Sequence, residues 1–321
     1  MDVFTVIPIV IAAALALLLI VALLAMYFIF FFSVKFDREN PKPDLLMGKD
    51  LPDFIRATDR ETARIKAAFP HETVCVRSDE GLALYGDFYR NGNQTDKTVI
   101  CVHGYNSCGY NDFSPMVEPI LKHGCNCLLI DQRHYGRSEG KYTGFGMPES
   151  RDLLKWIAFV NDMFPGGKIV LYGISMGAAT VMQACALDLP ETVAGIVEDC
   201  GFTSCRNEFA AVLKNVAHLP SFPVLNLLAA ICKAFLGIDI GSDSRTCVAA
   251  AKIPVLFLHG DADAFIPVSM CRECYDACAS EKRIVIYEGA GHGQSHFKHP
   301  ERYENDFFSF TDRVTGAERP V

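Results

Sequence analysis

The chain has 321 residues, 50% of them hydrophobic, and a formal net charge of −8 at pH 7. That length supplies one membrane segment and one domain of about 250 residues, near the upper end for a single core. Lysines and arginines are scattered without a basic block, so the chain offers no electrostatic footprint for a phosphate backbone and no nucleic-acid partner is expected.

Residues 3–34 carry no charged side chain. The run IPIVIAAALALLLIVALLAMYFIFFF exceeds the roughly 20 apolar residues that cross about 30 Å of hydrocarbon. A single transmembrane helix within residues 1–34 is therefore expected, anchoring the chain in the cell membrane. A cleaved signal peptide would need a basic start and a small-residue cleavage site, whereas the chain starts Met1, Asp2, Val3. Lys35, Arg38, Lys42 and Lys49 all follow the apolar run and no cation precedes it, which puts the remainder on the cytoplasmic side. The cysteines agree. Their number is odd, at 13, and Cys101, Cys127 and Cys185 fall in expected strands or helices, as free thiols acting as small hydrophobes do.

Residues 35–70 begin polar and proline-punctuated (DRENPKPD) and continue as an amphipathic pattern, DFIRATDRETARIKAAF, which reads as a juxtamembrane linker and lead-in helix. Over 71–321, apolar runs alternate with helical patterns: TVCVRS, LALYGDFY, TVICVH, CNCLLID, KIVLYG, AGIVEDC, PVLFLHG and RIVIYEG. The first two read as an antiparallel hairpin. The later ones are near-continuously apolar and separated by helix-length segments such as Pro148 to Phe164, the pattern of parallel strands covered on both faces. The expected class is α/β, an eight-stranded mostly parallel sheet with helices on both sides. Between AGIVEDC and PVLFLHG about 50 residues stand where a crossover of roughly 10 to 20 would do. This insertion, 203–250, holds apolar helical stretches near Asn207 to Ala217 and Val224 to Leu236, separated by Pro220 and Pro223, and reads as a helical lid.

Chemistry concentrates at strand ends. In GISMG, Gly173 and Gly177 flank Ser175 directly after KIVLY and before a helical run, the strand-turn-helix setting in which a serine becomes an exposed nucleophile. A serine hydroxyl needs a base oriented by a carboxylate. Downstream, HGDADAFIP places Asp261 and Asp263 after the strand PVLFL, and EGAGHG places His292 after RIVIY.

These loops resemble the serine-hydrolase branch of the α/β-hydrolase superfamily, which includes lipases, esterases and bacterial membrane-tethered members, over about Thr73 to Phe308. The order Ser, Asp, His is that family's order. The resemblance implies that Asp263, the second aspartate of HGxxDxxxP, is the acid, with Asp261 and Asp199 as rivals, and that His292 of GxGH is the base. It further implies an oxyanion hole from the backbone N–H groups of Tyr105, in VHGYNSCG, and Met176, behind the nucleophile. Losing one such donor costs on the order of 100 to 1000-fold in rate. Asp131, Arg133 and Ser138 in DQRHYGRSEG match a stretch that is structural in the family.

Other residues read as structure. His103 and His259 look like hydrogen-bonded scaffolding, and His296 and His299 lie beyond the strand end that carries His292. Cys271, Cys274 and Cys278 repeat at helical spacing without a fourth ligand, so a thiol face is expected and no metal or cofactor. The expected activity is hydrolysis of a carboxylic ester or thioester, with a small-molecule or lipid-like acyl substrate. The alternative is a peptidase or amidase, for which Glu208, Asp239 and Asp243 are the acids the insertion offers to an amine. A non-catalytic scaffold is the remaining reading.

Overall fold

The computed structural model describes residues 6–12, 15, 18, 20, 51–93, 95–215, 218 and 220–316. Most of the expected transmembrane run therefore lies outside the described residues, among which no helix is long and apolar enough to cross a membrane. Residues 6–12 are helical, with Ile7, Ile9, Val10 and Ile11 exposed.

The lead-in helix α1 spans Leu51–Ala68. β1 (Glu72–Arg77) and β2 (Ala83–Tyr89) form the antiparallel hairpin read from the sequence. There follow β3 (Lys97–Val102), α2 (Gly109–Lys122), β4 (Asn126–Ile130), α3 (Met147–Met163), β5 (Lys168–Ile174), α4 (Met176–Ala184) and β6 (Val193–Asp199). The insertion carries α5 (Cys205–Asn215), α6 (Val224–Ile231) and α7 (Ser244–Val248). β7 (Val255–Gly260), α8 (Val268–Ala277), β8 (Lys282–Tyr287), α9 (Ser295–Lys298) and α10 (Pro300–Thr315) complete the domain.

The eight strands form one sheet in the order β1-β2-β4-β3-β5-β6-β7-β8. β2 pairs antiparallel with β4, and every pairing from β4 to β8 is parallel. Alternation along the strands builds two cores. Val99 and Cys101 of β3 face α2 and α10, with Phe113, Val117, Phe307 and Phe310, whereas Ile100 and Val102 face α3 and α4, with Leu153, Trp156 and Val181. Cys271 and Cys274 of α8 and Cys278 just after it are buried in this second core, as the thiol-face reading expects. From β3 the chain steps to β4 on one side, and from β4 it crosses back over β3 to β5 on the other, so the direction of winding reverses there. Open sheets bind ligands at such a switch point, outside the strands' carboxyl ends.

The insertion departs from the sequence reading in two places. The expected helix to Leu236 stops as an α-helix at Ile231 and continues as a π-turn, Cys232–Leu236, closed by Gly237 at φ 68°. The short helix α7, whose Asp243 side chain accepts the N–H of Arg245, has too few turns to show periodicity. Both helical stretches pack through Cys205, Phe209, Leu225 and Leu228 onto Phe145, Met176 and Ile266, making a third apolar cluster above the sheet ends.

The closest packing lies where β5 turns into α4. A Cβ on Gly177 would stand 1.7 Å from the Val102 carbonyl oxygen, and one on Gly173 2.2 Å from the Gly177 oxygen. Both obstacles are backbone, so neither can give way. Gly177→Ala is accordingly expected to cost more than about 3 kcal/mol of stability, whereas Gly92→Ala, where an added methyl meets nothing within 4 Å, changes little. Thermal midpoints and soluble yield of the two variants check this.

Candidate active site

Ser175 stands at the carboxyl end of β5 in a backbone conformation that L-residues avoid, φ 56° and ψ −116°. Its N–H is tied to the Asp199 carbonyl at 2.8 Å, and its carbonyl accepts from Ala179 in the first turn of α4 at 3.0 Å. The turn is thereby fixed from β6 and from the helix. Strain of this kind costs of order 1–3 kcal/mol and persists only where the surroundings enforce it.

The structure brings the three expected side chains together. Ser175 Oγ lies 2.9 Å from His292 Nε2, and His292 Nδ1 lies 2.8 Å from Asp263 Oδ2. A carboxylate only accepts, so Nδ1 carries the imidazole proton and Nε2 accepts from the serine hydroxyl. Asp263 Oδ1 also accepts the N–H groups of Phe265 (2.9 Å) and Ile266 (2.8 Å). Burial raises the Asp263 pKa, but the charges and hydrogen bonds of His292 and His259 outweigh it and hold the carboxyl far below its ordinary range. For His292, burial disfavours the charged form, yet the charge of Asp263, helped by Asp199 and Asp112, prevails and raises its pKa. The arrangement is a proton acceptor aimed at a hydroxyl, with a permanent counter-charge behind it.

The rivals go elsewhere. Asp261 Oδ1 accepts the N–H of Gly289 at 2.7 Å, a loop-holding role. Asp199 accepts from Ser295 (3.2 Å) and Tyr303 (2.9 Å), and burial pushes its pKa up to about 6. His296 pairs with Glu304 and His299 with the Glu288 carbonyl. His103 accepts the Gln132 N–H at Nε2 and donates from Nδ1 to the Gly104 carbonyl, as scaffolding does. Arg133 binds Asp152 and Glu80, and the Ser138 hydroxyl donates to the Asp131 carbonyl, all structural.

Met176 is the first residue of α4, where a backbone N–H has no partner within the helix. The loop with Tyr105 passes hard against the serine, since a Cβ on Gly104 would stand 3.2 Å from Ser175 Cβ. Its path is set by Asp112 of α2, whose carboxylate accepts the Gly104 N–H at 2.7 Å and the Ser107 hydroxyl at 2.6 Å. Tyr105 itself stacks on Phe145 at 5.2 Å. Cys200, Asp263 and His292 offer ligand atoms within 4.8 Å of one another. They make a poor metal set, because Asp263 and His292 bind each other and burial keeps the Cys200 thiol protonated.

A family model described as alpha/beta hydrolase fold matches residues 97–227. The uncharacterized protein YqkD of Bacillus subtilis is 30% identical over 231 residues, 70% of this chain and 74% of its own. The chain belongs to the alpha/beta hydrolase superfamily. It is also similar, at 23% identity over 229 residues, 70% of this chain and 75% of the relative, to the uncharacterized membrane protein YNL320W of Saccharomyces cerevisiae. The esterase Pf2001 of Pyrococcus furiosus superposes with a TM-score of 0.64 at 26% identity, covering 77% of this chain and 92% of that one. Family and esterase neighbour together support a hydrolase.

Around this hydrolase site stand Asp112 and Glu198, which the sequence did not single out, and His259 and Glu208, which it read in other parts. Asp112 sits inside a helix, in no recognisable pattern. His259, read as scaffolding, reaches the acid: its Nε2 donates to the Ile266 carbonyl at 2.9 Å and lies 3.3 Å from Asp263 Oδ2. Beside it Glu198, wholly buried, accepts the Gly201 N–H, and burial lifts its pKa to about 7. Glu208 of α5 is 4% exposed, and neither carboxylate oxygen has a hydrogen-bond partner. Burial, with the charge of Asp263 adding to it, pushes its pKa up to about 8.

An acid whose folded pKa exceeds its unfolded one holds a proton that the unfolded chain has released, so stability falls as pH rises between the two values. Glu208 therefore weakens the fold across about pH 5 to 8 by up to about 1.4 kcal/mol per pH unit. Glu208→Gln is expected to remove that part of the slope. Thermal midpoints of both proteins at successive pH values read it directly, and parallel slopes would contradict the assignment.

Proposed function

We propose that this α/β-hydrolase is a serine hydrolase that cleaves a carboxylic ester or thioester through an acyl-enzyme on Ser175. The observation that carries the reading is the unbroken chain Ser175–His292–Asp263 at 2.9 and 2.8 Å. Ser175 Oγ attacks the carbonyl carbon while its proton passes to His292 Nε2, and Asp263 stabilises the imidazolium so formed. The N–H groups of Tyr105 and Met176 receive the oxyanion. As the tetrahedral intermediate collapses, the bond to the leaving group breaks and Nε2 returns the proton to the departing atom. Water then attacks the acyl-enzyme by the same route and releases the acid.

The apolar cluster of the insertion, which reaches Met176 and Tyr105, serves in this reading as a lid over the acyl portion. The apolar residues 3–34 serve as a membrane anchor with the domain on the cytoplasmic side, a reading supported by the exposed apolar side chains of 6–12 and by the membrane relative's name. One observation favours amide substrates as a second reading: Glu208, buried and unpaired in the insertion, would release its raised-pKa proton to pair with a substrate ammonium. Asp243, by contrast, is spent on Arg245, and Asp239 on the Gly241 N–H.

Fluorophosphonate labelling of the purified protein is expected, and Ser175→Ala abolishes it. Activity toward short acyl esters should fall on the order of 10⁴ to 10⁶-fold in that variant and about 10⁴-fold in Asp263→Asn. Wild-type protein that takes no label would refute the hydrolase reading, and a preference for aminoacyl amides would favour the second.

The base works only when His292 is neutral. Because its pKa is raised, kcat/KM should drop as pH falls through a midpoint above the ordinary histidine value of about 6.5. Asp199→Asn, which removes one of the charges favouring the imidazolium, should move that midpoint to lower pH. A pH–rate profile of the two proteins decides it.

A further inference from the structure

A cavity of about 350 Å³ lies against the strand and loop ends that carry Ser175 and His292, neither of which lines it, and none of its lining belongs to the insertion. It is the size of a small-molecule site. One wall is the lead-in helix α1, through Ala57, Thr58 and Glu61, and another is α2 with Asp112. The remaining walls include Ile174, which directly precedes Ser175, Gly293, which directly follows His292, and Asp199 at the end of β6.

The chemistry of acyl transfer sorts the two halves of an ester around Ser175. His292 Nε2 must hand its proton to the oxygen that departs, so the leaving alcohol lies on the histidine's side. The cavity borders the histidine loop at Gly293, while the apolar cluster of the insertion borders the oxyanion residues Met176 and Tyr105. The acyl chain accordingly belongs under the insertion and the alcohol in the cavity.

The lining then says what kind of alcohol. Glu61, Asp112 and Asp199 contribute carboxylates and His296 an imidazole held by Glu304; no lysine or arginine lines the space, though Arg64 outside it pairs with Glu61. Carboxylates accept hydrogen bonds and repel anions. Asp112 and Asp199 are close enough to act on the charge of His292, so a negative leaving group would meet the same field.

We infer that this cavity is the leaving-group pocket and that it takes an alcohol rich in hydrogen-bond donors and free of negative charge, such as a polyol or an amino alcohol. The inference rests on the serine-hydrolase reading and narrows it. It disfavours esters and thioesters whose leaving group carries phosphate. It also makes α1, which lies outside the matched family region 97–227, part of the substrate site.

The test uses the full chain and esters that share one short acyl group and differ in the alcohol: methyl, glycerol, dimethylaminoethanol (an N–H donor when protonated) and glycerol phosphate. The glycerol and dimethylaminoethanol esters are expected to exceed the glycerol phosphate ester at least tenfold in kcat/KM. Ala57→Trp, which fills the cavity from α1, should lower the glycerol-to-methyl ratio at least tenfold while fluorophosphonate labelling persists. Glu61→Lys, at a partly exposed position on the same wall, should narrow the discrimination against glycerol phosphate at least threefold, and it carries the test if the tryptophan variant does not fold. Labelled protein that hydrolyses all four esters alike, or variants that leave these ratios unchanged, would overturn the pocket while sparing the hydrolase. Absence of labelling would overturn the hydrolase itself.

Discussion

The turn at Ser175 requires that a β-strand reverse into a helix within one residue, with its side chain left standing above the sheet. No L-residue enters that conformation willingly. It is held because α4 runs so near β3 that residue 177 has no room for a Cβ, and because the carbonyl of Asp199 fixes the serine's N–H. Those contacts draw the end of β5 against the His103–Gly104 loop. They also leave the first N–H groups of α4 pointing at whatever binds to Ser175. The position of Ser175, the start of α4 and the path of the His103–Gly104 loop are thus one steric solution, and relaxing the turn would lose all of them together.

Electrostatics does the remaining work, in a region from which water has been removed. Asp263 stays charged because backbone N–H groups and the two histidines surround it. Its neighbours Glu198, Asp199 and Glu208 are buried with fewer donors, and their pKa values rise. The charges of Asp263, Asp199 and Asp112 thus converge on His292 and favour its imidazolium form. That field is maintained at a cost to the fold, as strained and charge-laden sites commonly are.

Much of this was legible in the chain. The eight strands, their parallel run from β3 onward, the hairpin before it and the placement of Ser175, Asp263 and His292 at strand ends follow from apolar runs separated by helix-length segments. Choosing between Asp261 and Asp263 needed the resemblance, since both lie in one loop and only tertiary geometry sends one to Gly289 and the other to His292. Asp112 could not be found from sequence, because nothing local marks that a first-turn carboxylate of α2 folds back eight residues to the Gly104 N–H. His259 was seen but given too small a part. The π-turn after Ile231 and the five residues of α7 leave no periodic trace. That the lead-in helix walls a cavity is a property of packing between distant segments, which no local pattern encodes.

The position of α1 has a consequence for how such proteins diversify. It rests on the domain from outside, through Ile65 in the core and Thr62 bonded to Ser114 of α2, and it forms no strand and crosses no sheet. A lineage could therefore exchange this one helix and so reshape the cavity it walls, while the Ser175 turn, His292 and the His103–Gly104 loop stayed as they were. The cavity wall and the Ser175–His292–Asp263 cluster lie on separate stretches of chain, and each can drift without dismantling the other.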